Sequence, residues 1–144
     1  MGKYANGFYQ VLNPGKYVGK KTPHYRSGWE HTFMRFCDNN PSILQWASES
    51  IHINYKNPFT NKATIYVPDF FIVYVDKSGA KRAELIEIKP STQSTLESAK
   101  SVKDQAAAVL NMYKWQAAQA WCKSQGITFR VVTENDIFHQ GNGR

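Results

Sequence analysis

At 144 residues the chain has room for one domain built on a single hydrophobic core. Apolar residues at 42% and charged residues at 20% exclude a disordered or fibrous chain. A net charge of +7, from 18 Lys and Arg against 11 Asp and Glu, favours a polyanionic partner: nucleic acid or an anionic membrane surface. No stretch approaches the ~18 apolar residues of a membrane span. The opening MGKYANGFYQ lacks the apolar run of a secretory signal, and Asn6 stands where N-myristoylation needs Ser or Thr.

Residues 1–25 are rich in Gly, Pro, Lys and Tyr without periodicity, and read as a basic N-terminal arm or an irregular wrap ordered by its aromatics. Lys3, Lys16, Lys20, Lys21, Arg26 and Arg35 lie in the first 35 residues, opposed there only by Glu30. A folded domain is expected over residues 26–140, with 141–144 as a frayed tail. Ser27 followed by Glu30 is a capping-box pattern, and Trp29, Phe33, Phe36 and Cys37 recur on one helical face until the Asp38-Asn39-Asn40-Pro41 stop. A short segment from Ile43 to Ser48 leads to a strand reading Ile51, Ile53, Tyr55. Thr64 to Val75 is a nearly continuous β-branched run interrupted by Pro68-Asp69. Asp76-Lys77-Ser78-Gly79 is a hairpin turn, with Gly79 free to be left-handed, and Arg82 to Lys89 returns as the next strand.

A long helix is predicted over about residues 96–125, capped by Gly126, before a last strand from Ile127 to Thr133. Its apolar face is read as Val102, Ala106, Val109, Tyr113, Ala117 and Trp121, with Trp115 and Trp121 as core residues. Cys37 and Cys122 fall on separate predicted helices without metal-type spacing and read as reduced packing thiols of an intracellular protein. His24, His31, His52 and His139 show no ligand spacing and receive no role. The expected fold is α/β: a small mixed twisted sheet with a helix on each side.

The hairpin carries the chemistry. With Lys77-Ser78-Gly79 as a three-residue loop, Asp76 pairs with Ala80, and counting along the ladder puts Asp69 opposite Glu87. Directly opposed Cβ atoms lie ~4.5–5.5 Å apart. Lys89 shares the parity of Glu87 and faces the same way; a four-residue loop would break this pairing. Two carboxylates opposed within apolar strands repel and are costly to bury unpaired. A divalent cation resolves the conflict, and oxygen ligands from Asp69 and Glu87 with a backbone carbonyl and waters suit Mg²⁺ or Mn²⁺. Lys89 beside them is placed to orient an attacking water and offset phosphate charge. The alternative for Lys89 is a plain ion pair at a solvated sheet edge.

Val67-Pro68-Asp69-Phe70, followed by Leu85-Ile86-Glu87-Ile88-Lys89-Pro90, resembles the PD-(D/E)XK nuclease signature with both halves complete. The Tyr25-Arg26-Ser27-Gly28-Trp29-Glu30 stretch resembles the helix that supplies a further acidic residue in that superfamily. Together with Phe129-Arg130-Val131-Val132-Thr133-Glu134, it is similar to the TnsA-like endonuclease branch. Met1-Gly2-Lys3-Tyr4, Asn13-Pro14 and Lys16-Tyr17 extend the likeness to the small head completion nucleases of T-even-like tailed phages.

The resemblance implies a restriction-endonuclease-like core and Mg²⁺-dependent hydrolysis of double-stranded DNA, with Mn²⁺ as a substitute. Asp69 and Glu87 would be metal ligands, the Ile88 backbone carbonyl a third, and Lys89 the catalytic lysine. Glu30 would be the helix-borne acid, in direct or water-mediated contact with metal, or an ordinary capping residue, or both. Lys16, Lys20, Lys21 and Arg26 would contact the DNA backbone, and Lys114 and Gln116 on the long helix would reach phosphate or water near the site. The implied setting is head completion before head–tail joining in the host cytoplasm, with the phage head, the portal or other head completion proteins as partners. Cutting both strands would call for a homodimer. Two alternatives remain: a virion assembly protein that binds DNA or the portal region without catalysis, and a transposon-end or junction nuclease guided by a partner.

Overall fold

A computed structural model describes residues 6–90 and 100–136. The expected Ser/Thr-rich connection, the proposed start of the long helix at residues 96–99 and the frayed tail lie outside the described residues. The framework is a four-stranded sheet in the order β3-β6-β7-β8, made of β3 (Ile43–Ser48), β6 (Phe70–Val75), β7 (Lys81–Ile88) and β8 (Thr128–Val132). β6 runs antiparallel to β3 and β7, and β8 is parallel to β7. A parallel pair needs a long crossover, and α2 (Val102–Gln125) lies within it.

Strand alternation divides the side chains between two layers. Phe70, Ile72, Ile86 and Ile88 point to one face, where Phe33, Met34 and Cys37 of α1 (Gly28–Asn39) complete the larger core with Trp46 and Val132. Leu85 and the half-buried Phe71 and Phe129 point to the other, against Ala118 and Cys122 of α2. This is the mixed α/β arrangement expected of a restriction-endonuclease-like core, with a helix on each side of the sheet. Both cysteines are buried and unpaired by disulfide.

The arm belongs to the packed structure. Its β1 (Gly7–Phe8) pairs with β2 (His24–Tyr25). Tyr9 enters the main core, 6% exposed, and donates its hydroxyl to Asp38 Oδ2 at 2.7 Å. The same carboxylate accepts the backbone N–H of Leu12 at 2.7 Å and of Asn13 at 3.1 Å. Val18 N–H and Lys16 C=O bond to Trp46 across the outer edge of β3, at 2.9 and 3.0 Å. The arm thereby covers a strand edge that would otherwise present unpaired backbone groups.

Several sequence expectations need correction. Ile43–Ser48 is a full strand of the main sheet rather than a lead-in, whereas the Ile53–Lys56 segment (β4) pairs only with β5 (Ala63–Tyr66) in a separate two-stranded sheet. The run from Thr64 to Val75 is two strands in different sheets, divided at Val67-Pro68-Asp69, because proline has no N–H to continue a ladder. α2 starts at Val102, with Ser101 Oγ accepting from Asp104 N–H at 3.0 Å. Its buried side chains are Ala108, Asn111, Ala118 and Cys122, while Val102 is 84% and Tyr113 46% exposed. The small residues of α2, not its large ones, allow it to approach the sheet.

Candidate active site

The β6–β7 hairpin has the three-residue loop that aligns the two halves of the motif. Gly79 has φ 86°, its N–H donates to Asp76 C=O at 3.0 Å, and Asp76 N–H donates to Ala80 C=O at 2.9 Å. Asp76 also accepts from Ser78 and Arg82, fixing the turn. The ladder runs from Val75↔Lys81 to Phe70↔Ile86. One step further, Asp69 immediately precedes β6 and β7 reaches Glu87, so the two carboxylates come close where the strands part. Asp69 Oδ2 accepts the Ile88 N–H at 2.7 Å. An extended backbone sends a residue's N–H and C=O to the same side, so the Ile88 carbonyl also leaves toward Asp69.

Glu87 and Lys89 share the parity of Leu85 and project toward α2. Glu87 is 4% exposed; its Oε1 accepts the Tyr66 hydroxyl at 2.8 Å and its Oε2 lies 3.5 Å from Lys89 Nζ. Lys114 of α2 sits over the Tyr66 ring, 5.6 Å from its centroid, and adds positive potential at Glu87 and Asp69. Gln116, two residues on, is exposed. The helix therefore brings Lys114 against Tyr66 beside the two acids, and leaves Gln116 on the exposed surface. Trp115 packs against the α2-side core, its buried Nε1 near the Tyr66 hydroxyl but without an aligned hydrogen bond.

Glu30 reaches the same region from α1. Its N–H donates to Ser27 Oγ at 3.1 Å, and its Oε1 accepts the Arg26 N–H at 2.9 Å. The cap is therefore real, with its return bond one residue earlier than the usual capping box. Glu30 also raises the proton affinity of Asp69 and feels Lys89. Sequence reasoning missed Glu49, which follows β3 with φ 51°. Its N–H donates to the Asp69 C=O at 2.9 Å, and its carboxylate pairs with Arg26 at 2.5 Å. It also missed Tyr66, which reads in sequence as one more apolar strand residue.

Burial first, and then the charges of Glu87 and Glu30, hold the Asp69 carboxyl well above the usual carboxylate range, against the pull of Ile88 N–H and Lys89. Burial also raises Glu87, opposed by Lys89, Tyr66 and Lys114, and raises Glu30, opposed by Arg26. Lys114 is lowered, chiefly by burial and then by Lys89. Such a group of acids takes up either protons or a cation. Among the described residues, no three His, Cys, Asp or Glu side chains converge as a complete ligand group. Two carboxylates and a carbonyl with waters nevertheless form a donor set suited to a hard divalent ion.

The same chain matches a family model described as TnsA-like endonuclease N terminal over residues 40–134, from the start of β3 past the end of β8. The chain belongs to the TnsA-like endonuclease family. The matched span holds Asp69, Glu87, Ile88, Lys89, Lys114 and Gln116, and omits Glu30 and the arm. A relative matches over more of the chain: the head completion nuclease of Enterobacteria phage T4 is 31% identical over 141 residues, spanning 92% of this chain and 93% of its own.

The basic residues expected to meet DNA separate into two groups. Lys16 is half-buried, and its Nζ donates to the carbonyls of Asp38 and Asn40 at 3.0 and 2.8 Å. There it satisfies the end of α1, where a cation is favoured. Lys20, Lys21 and Arg26 are exposed. Among the described residues no helix is long and apolar enough to cross a membrane.

Proposed function

We propose that this protein is a Mg²⁺-dependent DNA nuclease that hydrolyses phosphodiester bonds in phage DNA during head completion, before head and tail join. The observation that carries the reading is the opposition of Asp69 and Glu87 at the end of the hairpin, with Lys89 beside them. Two enclosed acids, both raised by burial and Asp69 further by the charge of Glu87, favour a site whose function requires a cation. Asp69, Glu87 and the Ile88 carbonyl would hold the ion, with Glu30 joining directly or through water. When bound, the ion supplies Lewis-acid polarisation of the scissile phosphate and lowers the pKa of an attacking water.

The remaining steps belong to the side chains. Tyr66 fixes the rotamer of Glu87 through its hydroxyl. Lys89 orients the attacking water and offsets charge as it grows on the phosphate. Lys114 adds a second cation on the α2 side, and the exposed Lys20, Lys21 and Arg26 hold the flanking backbone by contacts that weaken with salt. One such centre cuts one strand, so coupled double-strand cutting would take two copies of the chain. The proposed setting, by analogy with the head completion nuclease of phage T4, is the host cell, with the maturing head and portal as partners.

The test is cleavage of supercoiled plasmid by wild type in Mg²⁺ and in EDTA, and by Glu87→Ala and Lys89→Ala with unchanged circular dichroism. Nicking by wild type in Mg²⁺ alone supports the proposal. DNA binding without cleavage in either Mg²⁺ or Mn²⁺ would replace it with a non-catalytic assembly role.

A further inference from the structure

A groove of about 510 Å³ opens beside the candidate centre, with Phe8, Lys21, His24, Arg26 and Glu49 in its wall. That volume falls within the ~300–1,000 Å³ of small-ligand sites. Phe8 is 74% exposed, beside the buried Tyr9. The β1–β2 pairing sets Phe8 opposite His24, with ring centroids 4.8 Å apart and planes tilted by 43°. The phenyl ring is thus supported on one side and accessible on the other.

The charged wall is continuous with the proposed metal ligands. Arg26 pairs with Glu49, whose N–H is bonded to the Asp69 carbonyl. That pair neutralises Glu49 and occupies part of a guanidinium that carries five N–H donors. Lys21, exposed and on the same wall, leaves the groove net positive. An accessible aromatic face between cations fits nucleic acid whose bases are unstacked, because a paired duplex presents base edges and phosphates rather than base faces.

We propose that this groove takes an unpaired nucleotide at a DNA end or junction, stacking its base on Phe8 and setting its phosphates against Lys21 and Arg26. The inference rests on the nuclease reading and adds a substrate class to it: DNA with a single-stranded extension or fork beside the scissile bond.

The experiment compares a blunt duplex with the same duplex carrying a short overhang labelled with 2-aminopurine, in Ca²⁺ so that binding is read without turnover. Wild type should bind the overhang more tightly and quench its fluorescence. Phe8→Ala should weaken overhang binding by roughly 5- to 150-fold, the equivalent of ~1–3 kcal/mol for one stacked base, with little change for the blunt duplex. Phe8→Trp should restore both affinity and quenching. Lys21→Ala should lower the salt slope by about one. Equal binding of both duplexes by wild type and Phe8→Ala, or an equal loss on both, overturns the proposal. Plasmid nicking in Mg²⁺ tests the nuclease reading separately. Nicking with binding that ignores Phe8 removes the groove alone, whereas overhang-selective binding without nicking keeps the groove and removes the nuclease.

Discussion

The Tyr66 hydroxyl, at the end of the small β4–β5 sheet, donates to Glu87 of the main sheet at 2.8 Å. The bond links two sheets at one carboxylate and leaves the other Glu87 oxygen facing Lys89. Tyr66→Phe removes only that donor. Because groups that orient a metal ligand typically affect affinity by about 10–100-fold, divalent-ion binding should weaken by about tenfold. The acid limb of the pH–rate profile should move to higher pH, since a bond to the charged form is lost. Calorimetric titration with Mn²⁺ and the rate profile check both.

Asp69→Asn should abolish cleavage while stabilising the ion-free protein. The folded Asp69 carboxyl binds its proton more tightly than an ordinary carboxylate. Its stability contribution is therefore fully present below the unfolded pKa of ~3.9 and is lost as pH rises through the higher folded value. Asn keeps the acceptor for Ile88 N–H without the charge. A gain of about 0.5–2 kcal/mol is expected at neutral pH, shrinking toward acid. Urea unfolding of both proteins without metal, at neutral and acid pH, reads it; a loss at neutral pH would refute the account of a charge held under strain.

Asp38 should behave in the opposite sense. Although burial disfavours its charge, bonds from Tyr9, Leu12 and Asn13 prevail and lower its pKa. That contribution is present above the unfolded value of ~3.9 and is lost as pH falls through the folded one. Asp38→Ala strands three donors, one a buried phenol, and should cost about 3 kcal/mol at neutral pH. Denaturant curves at neutral and acid pH should show the wild-type advantage narrowing in acid.

Lys114 and Gln116 should separate cleanly. Lys114→Ala removes a cation from the region of Glu87 and Asp69, and should lower kcat/KM by about tenfold or more. Gln116→Ala alters an exposed side chain and should stay within about twofold. Parallel single-turnover assays decide it, and equal effects would remove Lys114 from the site.

The motif and its register were legible because local chemistry determines them: Gly79 closes a loop of one length, and that length decides which residues face each other. Ser27 and Gly126 marked helix ends for similarly local reasons. What escaped depended on tertiary packing. The β-branched run across Pro68 has one local character, although it serves two sheets. α2 was misread because hydrophobic size suggested Val102 and Tyr113, whereas close approach to the sheet selects Ala108, Ala118 and Cys122. Lys16 is one cation among many in sequence; only the fold shows it at the carbonyls of Asp38 and Asn40. Glu49 has no neighbour in sequence to mark it, because its relation to Asp69 is a backbone bond just past the end of β3 and before the start of β6.

The candidate centre draws Glu30 from α1, Glu49 from the end of β3, Asp69 and Tyr66 from either side of Pro68, Glu87 and Lys89 from β7, and Lys114 from α2. No two consecutive elements suffice to build it. Closing so many long chain segments is the slow part of folding a non-local topology. A nascent or half-folded chain therefore carries the full motif in its sequence with no working centre, and activity switches on only when the last layer docks.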